Sequence, residues 1–545
     1  MYRSLNIVVW GKQIMLPVPN RPNWRPLRVV GPMAPCICNR AQNQWVIRSA
    51  KFNAANILQN LDDYDAPMTT VVCSDGSFIS RSFDDAVDSY KGIRYATAQR
   101  FEPPIAYRYA DAPFEAYEYG SSPMQTPGML EQLLGMTDDS FDENCLFLNV
   151  YAPTSKSDKP RPVLFWIYGG GFVNGSSSIA WYDGSNLAQR ADAIVVSINY
   201  RLGVFGFLGA TNLGLLDQIC ALKWVSRNIE AFGGDPKNVT IFGESAGGAS
   251  VVALMAAPDA QPYFAKAWAM SPSIGQYSTI ERAEQQTLDL LKHAGVSTEK
   301  DLLPLSTSVL LAAQQKVIEN SAEPFSAFAP TQDGVVLPFN LLDAAATNPK
   351  HFVIGTNKDE SRLWLMFDPN ENQLDESGAV KALSTRTANA EDVWSVYKSA
   401  RPTYNPSQIV AAYDSDANFR KHAWSLLNRR EKGTCMSWSY WFTWASPTFD
   451  GLLGSCHALD IPFFFANDGI TGADVIIGSG DNQKMLSSTA SRSLALFART
   501  GKPEWPQYNS NDRPTFVFDD VCKLEKQPDN ELYDYWVLLG SNETS

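Results

Sequence analysis

The pentapeptide from Gly243 to Gly247 reads Gly-Glu-Ser-Ala-Gly, the composition of a turn that presents a reactive serine. The β-branched run Val239 to Gly243 precedes it, and the helix-favouring run Ala246 to Ala257 follows it. A glycine on each side of a serine allows a sharp turn from strand to helix, which exposes the hydroxyl group and directs the amides of the first helical turn towards it. We therefore predict that Ser245 is the nucleophile of an acyl-transfer reaction.

A second glycine-rich segment could stabilise the negative charge that develops in such a reaction. The segment Tyr168 to Phe172 contains three consecutive glycines and follows an apolar run. These glycines leave backbone N–H groups free to converge on an oxyanion. We predict an oxyanion hole formed by the N–H groups of Gly170, Gly171 and Ala246.

A serine nucleophile needs a general base, and the sequence contains four histidines: His293, His351, His422 and His457. The first three lie in a helical surface pattern, at the start of a strand and in a charged stretch, which favours structural or solvated roles. His457 lies in a loop between the aromatic segment Cys435 to Trp444 and the apolar segment Ile461 to Phe465. Loops beyond strand ends are where α/β sheets place reacting groups, so we predict that His457 is the base.

The third member of such a triad is an acid that orients the histidine. In one common chain order this acid lies between the serine and the histidine. The loop Gly355 to Glu360 follows the strand-like run His351 to Ile354 and ends in two carboxylates. The residues alone leave both Asp359 and Glu360 open for this role.

The elements that would position these residues alternate between strands and helices from about Thr69 onwards. Val163 to Tyr168 and Ala193 to Tyr200 are dominated by apolar residues on both faces, which is typical of strands in a sheet covered on both sides. Apolar residues recur at helical spacing from Leu215 to Ile229. The pattern predicts an α/β fold with a mostly parallel central sheet and helices on both faces.

From about Thr70 to Asp520 the chain resembles the type-B carboxylesterase and lipase family, the α/β-hydrolases that include para-nitrobenzyl esterases and cholinesterases. The resemblance depends on an ordered series of motifs besides the serine pentapeptide: Gly92 to Ala96, Glu143 to Asn149, Tyr168 to Phe172, Asn199 to Gly203, Gly214 to Gln218, Phe232 to Pro236 and Phe497 to Gly501. Such an ordered series is much more specific than any one motif.

The resemblance implies an α/β-hydrolase with a Ser-His-Glu triad, so it selects Glu360 over Asp359 and supports Ser245 and His457. It implies hydrolysis of small-molecule carboxylic esters through an acyl-enzyme, with neither a metal ion nor an organic cofactor. It also implies two ion pairs that stabilise the scaffold: Arg100–Glu143 and Arg201–Asp217. A lipase acting on long-chain acyl glycerols and a non-catalytic, cholinesterase-like adhesion protein are alternatives; the filled triad disfavours the second.

The chain departs from the family pattern in ways that affect both substrate and compartment. The segment Glu102 to Asn144 contains no tryptophan, although cholinesterases carry a choline-binding tryptophan there, so a choline ester is disfavoured. Met124-Gln125 stands where secreted relatives place the partner of the cysteine matching Cys145, so we expect Cys145 to be a free thiol. The cysteines are sparse, and the apolar run Ile7 to Trp10 is too short for a secretory signal peptide. We therefore predict a cytoplasmic protein, with secreted and organellar locations as alternatives.

Charge divides the chain into two parts. Residues 1–61 contain eight Lys or Arg and no Asp or Glu, with six prolines between Pro17 and Pro35. We expect residues 1–66 to be a basic, proline-rich leader outside the fold, extended or disordered because its prolines break a continuous helix, and residues 67–545 to form the α/β-hydrolase domain. An organellar transit peptide and a start assigned too far upstream are alternatives for this leader. The whole chain has a net charge of −13, which argues against a nucleic-acid partner. No apolar run reaches the length of a membrane-spanning helix.

Overall fold

The computed structural model describes residues 8–10, 13–16, 25–28 and 68–542, apart from residues 85, 111, 129–139, 322–325, 434–435 and 471. The chain divides into two units, Met1–Asp65 and Ala66–Ser545. In the first unit, three short strands form an antiparallel sheet: β1 (Val8–Trp10), β2 (Gln13–Leu16) and β3 (Arg25–Arg28). That residues 1–66 are a leader outside the hydrolase fold stays a prediction.

The strands of the second unit are, in chain order, β4 (Thr70–Cys73), β5 (Gly76–Ile79), β6 (Arg81–Asp84), β7 (Val87–Arg94), β8 (Ala96–Thr97), β9 (Ile105–Ala106), β10 (Phe114–Glu115), β11 (Ser122–Pro123), β12 (Phe141–Asp142), β13 (Phe147–Pro153), β14 (Arg161–Ile167), β15 (Ile194–Ile198), β16 (Gly234–Glu244), β17 (Lys266–Met270), β18 (His351–Asn357), β19 (Ser437–Phe442), β20 (Thr515–Phe518) and β21 (Lys523–Glu525).

Eleven of these strands form one sheet, in the order β21-β20-β19-β18-β17-β16-β14-β15-β13-β7-β6. Within it, the strands from β20 to β15 run parallel, and the strands at both edges are antiparallel. All residues of β14, β15, β17 and β19 are buried, as a sheet covered by helices on both faces requires. The predicted α/β fold with a mostly parallel sheet is confirmed.

The helices of the second unit are, in chain order, α1 (Ser185–Ala191), α2 (Gly203–Gly206), α3 (Leu213–Asn228), α4 (Ala246–Ala256), α5 (Ile280–Ala294), α6 (Thr307–Asn320), α7 (Leu341–Thr347), α8 (Arg362–Leu365), α9 (Glu376–Ser384), α10 (Ala390–Ala400), α11 (Pro406–Ser415), α12 (Lys421–Glu431), α13 (Ile461–Phe464), α14 (Asp474–Ile477), α15 (Asp481–Thr500) and α16 (Asn530–Asn542). The helix predicted from the apolar spacing between Leu215 and Ile229 is α3. A short 3₁₀ turn extends it to Phe232, and Gly233 ends that turn with a φ of 83°, in the left-handed region that favours glycine.

Both predicted ion pairs are confirmed. Arg201 donates from Nε and Nη2 to the two carboxylate oxygens of Asp217, each at 2.8 Å, and both side chains are buried. Arg100 donates from Nε to Oε2 of Glu143 at 2.9 Å. Because each guanidinium group binds its carboxylate through two nitrogens, the loops that carry them are held in a fixed orientation.

The segment between β18 and β19 forms α8 to α12 and has a hydrophobic cluster of its own. Buried residues of this cluster include Leu383, Val393 and Ile409, and α16 adds Leu532 from the end of the chain. A π-helical turn, Asp416–Arg420, connects α11 to α12. Asp529, next to α16, accepts a hydrogen bond of 2.7 Å from Arg401 and also pairs with Arg420. The last helix is therefore fastened to this segment by both apolar and ionic contacts.

Cysteines and helix lengths complete the description of the second unit. Five cysteines in the described residues are free thiols: Cys73, Cys145, Cys220, Cys456 and Cys522. The expected free thiol at Cys145 is thus confirmed, and its side chain is buried. Among the described residues, no helix has the length and apolar character that crossing a membrane requires.

The parallel strands bring the predicted functional loops to the end of the sheet at which the strands finish. The glycine loop Gly169–Gly171 follows β14, Ser245 follows β16, and the loop with Glu360 follows β18. The carboxyl ends of neighbouring parallel strands lie side by side, and open α/β sheets place their sites beyond these ends. The candidate site is therefore assembled there.

Candidate active site

Ser245 lies in a strained turn between β16 and α4. Its backbone has φ 57° and ψ −122°, and its N–H donates a 3.0 Å hydrogen bond to the carbonyl of Met270. A Cβ atom on Gly247 would lie 2.0 Å from the carbonyl oxygen of Ile167, and one on Gly243 would lie 2.6 Å from the same oxygen. Both flanking glycines are therefore required by close approach to β14, which holds the serine in its unusual conformation.

Glu360 is the acid that contacts His457. Nδ1 of His457 lies 2.6 Å from Oε2 of Glu360, and both side chains are almost fully buried. The other carboxylate oxygen of Glu360 accepts a hydrogen bond of 2.7 Å from the N–H of Asn357. The acid is thus fixed from one side while it orients the imidazole ring from the other.

Asp359 points to a different set of partners. It accepts hydrogen bonds from the Tyr404 hydroxyl at 2.5 Å and from the Ser455 N–H at 3.0 Å, and it pairs with Arg362 at 3.3 Å. These contacts connect the loop after β18 to the loop that carries His457. Of the two carboxylates that the residues alone left open, the structure therefore brings Glu360 and not Asp359 to the imidazole.

The opposite nitrogen of the imidazole faces a residue that our sequence reasoning missed. Nε2 of His457 lies 3.1 Å from Oε1 of Glu244, the residue immediately before Ser245. Trp364 and Phe419 also contact the imidazole ring, with ring centroids at 5.0 Å and 4.8 Å. The position of Glu244 directly before the serine could have indicated its contact with His457, whereas nothing in the sequence indicated the contacts of the two aromatic residues.

Burial and neighbouring charges shift the pKa values of this cluster. Burial raises the pKa of Glu244 to about 8, although His457 opposes the shift. Burial, together with repulsion from Glu360, raises the pKa of Asp460 to about 7. Burial lowers the pKa of His457, but the carboxylates of Glu244 and Glu360 outweigh it and raise the pKa to about 9. The imidazole is therefore a stronger base than an isolated histidine.

Replacing Glu244 with glutamine is expected to move the acidic limb of the kcat/KM–pH profile to lower pH. We predict that His457 is a base, a role that an imidazole can fill only when neutral, and removing the carboxylate beside Nε2 lowers the pKa below which the ring becomes protonated. We expect a shift of about 1 pH unit or more, the size typical of losing one close opposite charge. Glu230→Gln, at an exposed acid, is the control and should leave the limb in place. A limb that moves to higher pH in Glu244→Gln would contradict this assignment of charge.

The glycine loop after β14 lines the same cavity as Ser245 and His457. Gly170 and Gly171 have φ values of 101° and 59°, and a Cβ atom on Gly170 would lie 2.2 Å from the carbonyl oxygen of Asn174. The loop can therefore adopt this path only with glycine. Ala246, the third predicted amide, follows Ser245 as the first residue of α4.

The cavity has a volume of about 440 Å³, and part of its wall is charged. Arg386 on this wall donates to Asp414 at 2.8 Å and to Glu371 at 2.7 Å. Burial raises the pKa of Asp414 to about 6, and Arg386 opposes that shift. This wall belongs to the segment between β18 and β19, to which sequence reasoning had assigned no function.

The other predicted features are placed as follows. Of the described histidines, His457 alone lines the cavity. His351 instead makes a 2.6 Å hydrogen bond to the carbonyl of Gly501, and burial lowers the pKa of His422 to about 4. In the described part of the chain, no group of three or more His, Cys, Asp or Glu side chains is arranged to hold a metal ion.

Comparison with known proteins gives a consistent result. A model of the carboxylesterase family matches residues 75–536. Over 478 residues the sequence is 35% identical to a para-nitrobenzyl esterase of Bacillus subtilis (strain 168), and this alignment covers 82% of this chain and 94% of the relative. Over 468 residues it is 31% identical to a phenmedipham hydrolase of Pseudarthrobacter oxydans, and this alignment covers 80% of this chain and 92% of the relative.

Solved structures with the same fold agree with the sequence matches. A carboxylesterase of Geobacillus stearothermophilus superposes with a TM-score of 0.75 at 31% identity, covering 86% of this chain and 100% of the other. A PNB esterase superposes with a TM-score of 0.74 at 32% identity, covering 85% of this chain and 98% of the other.

Proposed function

Since the chain belongs to the carboxylesterase family and is a carboxylic ester hydrolase, we propose that Ser245, His457 and Glu360 form its catalytic triad. The observation that carries this proposal is the 2.6 Å contact between Nδ1 of His457 and the buried Glu360, in the cavity that Ser245 also lines. A buried carboxylate at Nδ1 fixes the ring orientation, so Nε2, which lies 3.1 Å from Oε1 of Glu244, is the nitrogen that exchanges protons with the serine and the leaving group.

The reaction then proceeds in two halves through an acyl-enzyme. His457 takes the proton of the Ser245 hydroxyl as its oxygen attacks the ester carbonyl, and the N–H groups of Gly170, Gly171 and Ala246 bind the resulting oxyanion. His457 returns the proton to the leaving alcohol, which departs and leaves the serine acylated. Water then repeats the same steps and releases the carboxylic acid. Glu360 stabilises the imidazolium that forms in each half.

We propose that the substrates are small esters and not long-chain acyl glycerols. A cavity of about 440 Å³ lies within the range of sites for small ligands, and aromatic side chains, Trp364 and Phe419, lie beside the base. Two relatives are named for para-nitrobenzyl esters and for phenmedipham, so aromatic esters are suitable probes.

A chain-length series of p-nitrophenyl esters, from acetate to palmitate, tests this substrate class. We expect kcat/KM to be highest for short acyl chains and to show no increase when micelles form. Substitutions of Ser245, His457 and Glu360 test the triad proposal separately. A sharp rise in rate above the micelle concentration, with long chains preferred, would instead identify a lipase.

Deleting residues 1–61 is expected to leave ester hydrolysis within about twofold of the full chain. This segment lacks acids and family motifs, and the sheet that carries Ser245 is formed entirely within the second unit. Turnover of p-nitrophenyl acetate and the melting temperature of both forms provide the measurement. An insoluble shortened protein, or one that melts many degrees lower, would show that the leader is part of the hydrolase fold.

We also propose that the protein works in a reducing compartment, the cytoplasm. The free thiols at Cys145 and the other described cysteines support this proposal. Alkylating the unfolded, unreduced protein from its native source should label Cys145 and most of the other cysteines, as counted by mass. The same sample labelled after reduction is the control. Finding Cys145 protected until reduction would overturn the compartment proposed.

A further inference from the structure

A second cavity lies at the amino ends of the central strands, opposite to the candidate active site. Its volume is about 510 Å³, and it is lined by residues near the starts of β16, β17 and β18 and at the end of α15. Ser245 and Glu360 follow the carboxyl ends of two of these same strands. The cavity is therefore separate from the ester-binding site.

The cavity carries an excess of positive charge. Four cationic side chains line it, whereas its lining in the described residues contains a single carboxylate, Asp235: the four are Lys237, Lys266, Lys350 and Arg499. The whole chain has a net charge of −13, so this concentration of cations is opposite in sign to the rest of the protein. A concave surface lined by one sign of charge attracts ions of the other sign.

Lys266 is the most buried of the four cations that line this cavity. The residue is only 8% exposed, and its ammonium group donates a hydrogen bond to Oδ1 of Asn238. Burial lowers its pKa to about 8, although Asp235 opposes the shift. An ammonium group has three donors, and a buried charge without a close counter-ion is costly. An anion in the cavity would remove much of this cost.

Two of the side chains that line the cavity with Lys266 are fixed by contacts with the backbone. Lys350 donates to the carbonyls of Gln261 and Phe264, each at 2.5 Å. Arg499 donates from Nη2 to the carbonyl of Ala191 at 2.8 Å. These bonds fix the charged ends of Lys350 and Arg499, so these two side chains have little conformational entropy left to lose when an anion binds.

We propose that this cavity binds a multivalent oxyanion, such as a phosphate monoester or a polycarboxylate, through Lys266, Lys237 and Arg499. The ester-hydrolysing site takes no part in this binding, because the two sites lie at opposite ends of the strands. The bound anion contributes to stability by supplying the counter-charge that Asp235 alone does not provide.

Calorimetric titration at constant ionic strength tests the proposal, with inorganic phosphate, glucose 6-phosphate and citrate as separate probes and chloride replacing the anion in the blanks. We expect saturable binding of one anion per chain and a rise in melting temperature that follows the same saturation curve. Tighter binding of the phosphates would assign the site to phosphate compounds, and tighter binding of citrate would assign it to polycarboxylates. Heats and melting shifts that depend on ionic strength alone would overturn the proposal.

Variants locate the binding within the cavity. Lys266→Met is expected to weaken the affinity at least about tenfold. Lys237→Ala, at an exposed position, removes a cation without disturbing the core, whereas Arg499→Ala, also at an exposed position, removes in addition the hydrogen bond to the carbonyl of Ala191. Lys484→Ala, at an exposed lysine of α15, is the matched control. All four should hydrolyse p-nitrophenyl acetate like the parent protein, which confirms folding. Unchanged affinity in both Lys237→Ala and Arg499→Ala would also overturn the proposal.

Discussion

Replacing Ser245 with alanine is expected to lower kcat/KM for p-nitrophenyl acetate by about 10⁴- to 10⁶-fold. The substitution removes the oxygen that forms the acyl-enzyme in the proposed mechanism, while the turn itself depends on Gly243 and Gly247 and should persist. His457→Ala should have a similar effect, because the serine is a weak nucleophile without its base.

The rate of the double variant Ser245→Ala, His457→Ala shows whether the two residues act together in one step or contribute independently. We expect it to be about as slow as either single variant, since groups that act in one step are not additive. Melting temperatures of all three proteins provide the control for folding. If Ser245→Ala retained most of the turnover, another nucleophile would be acting and the proposed triad would be wrong.

Replacing Glu360 with glutamine is expected to lower kcat by about 10³- to 10⁴-fold. An amide at this position cannot stabilise the imidazolium, and its NH₂ group disfavours the Nδ1–H tautomer that the 2.6 Å contact with His457 requires. Burst kinetics with p-nitrophenyl acetate would show whether acylation or deacylation is slowed, and both should be, because the imidazolium forms in each half of the reaction.

Asp359→Asn is the matched control, since it makes the same chemical change one residue away. Asp359 binds Tyr404, Ser455 and Arg362, so we expect this variant to melt at a lower temperature and to keep kcat within about tenfold of the parent. The reverse outcome, a slow Asp359→Asn enzyme beside a nearly normal Glu360→Gln enzyme, would assign the orienting role to the other acid.

Features encoded by local sequence were predicted well. The turn at Ser245 follows from two glycines between a strand pattern and a helix pattern, and the backbone there has the strained φ of 57° that this context implies. The buried strands and α3 follow from apolar spacing. His457 could be selected because the sequence contains only four histidines and only one of them lies in a suitable loop.

Features that depend on side-chain direction or on distant packing were not predictable from the residues. Asp359 and Glu360 are neighbours, so the choice between them depends on which way the loop after β18 turns. The contacts of Trp364 and Phe419 with His457 join residues from three separate parts of the chain. Their packing is fixed only when the helices between β18 and β19 have formed, and no periodicity in the sequence encodes it.

The ion pairs of Asp529 connect the order of α16 to the surroundings of His457. Asp529 pairs with Arg420, which follows Phe419 in the π-helical turn, and Phe419 contacts the imidazole of His457. Asp416 also pairs with Arg420, at 3.8 Å. Local unfolding of α16 would withdraw Asp529 from this turn and loosen the packing of Phe419 on the imidazole, so the order of a helix far along the chain bears on the environment of the proposed base.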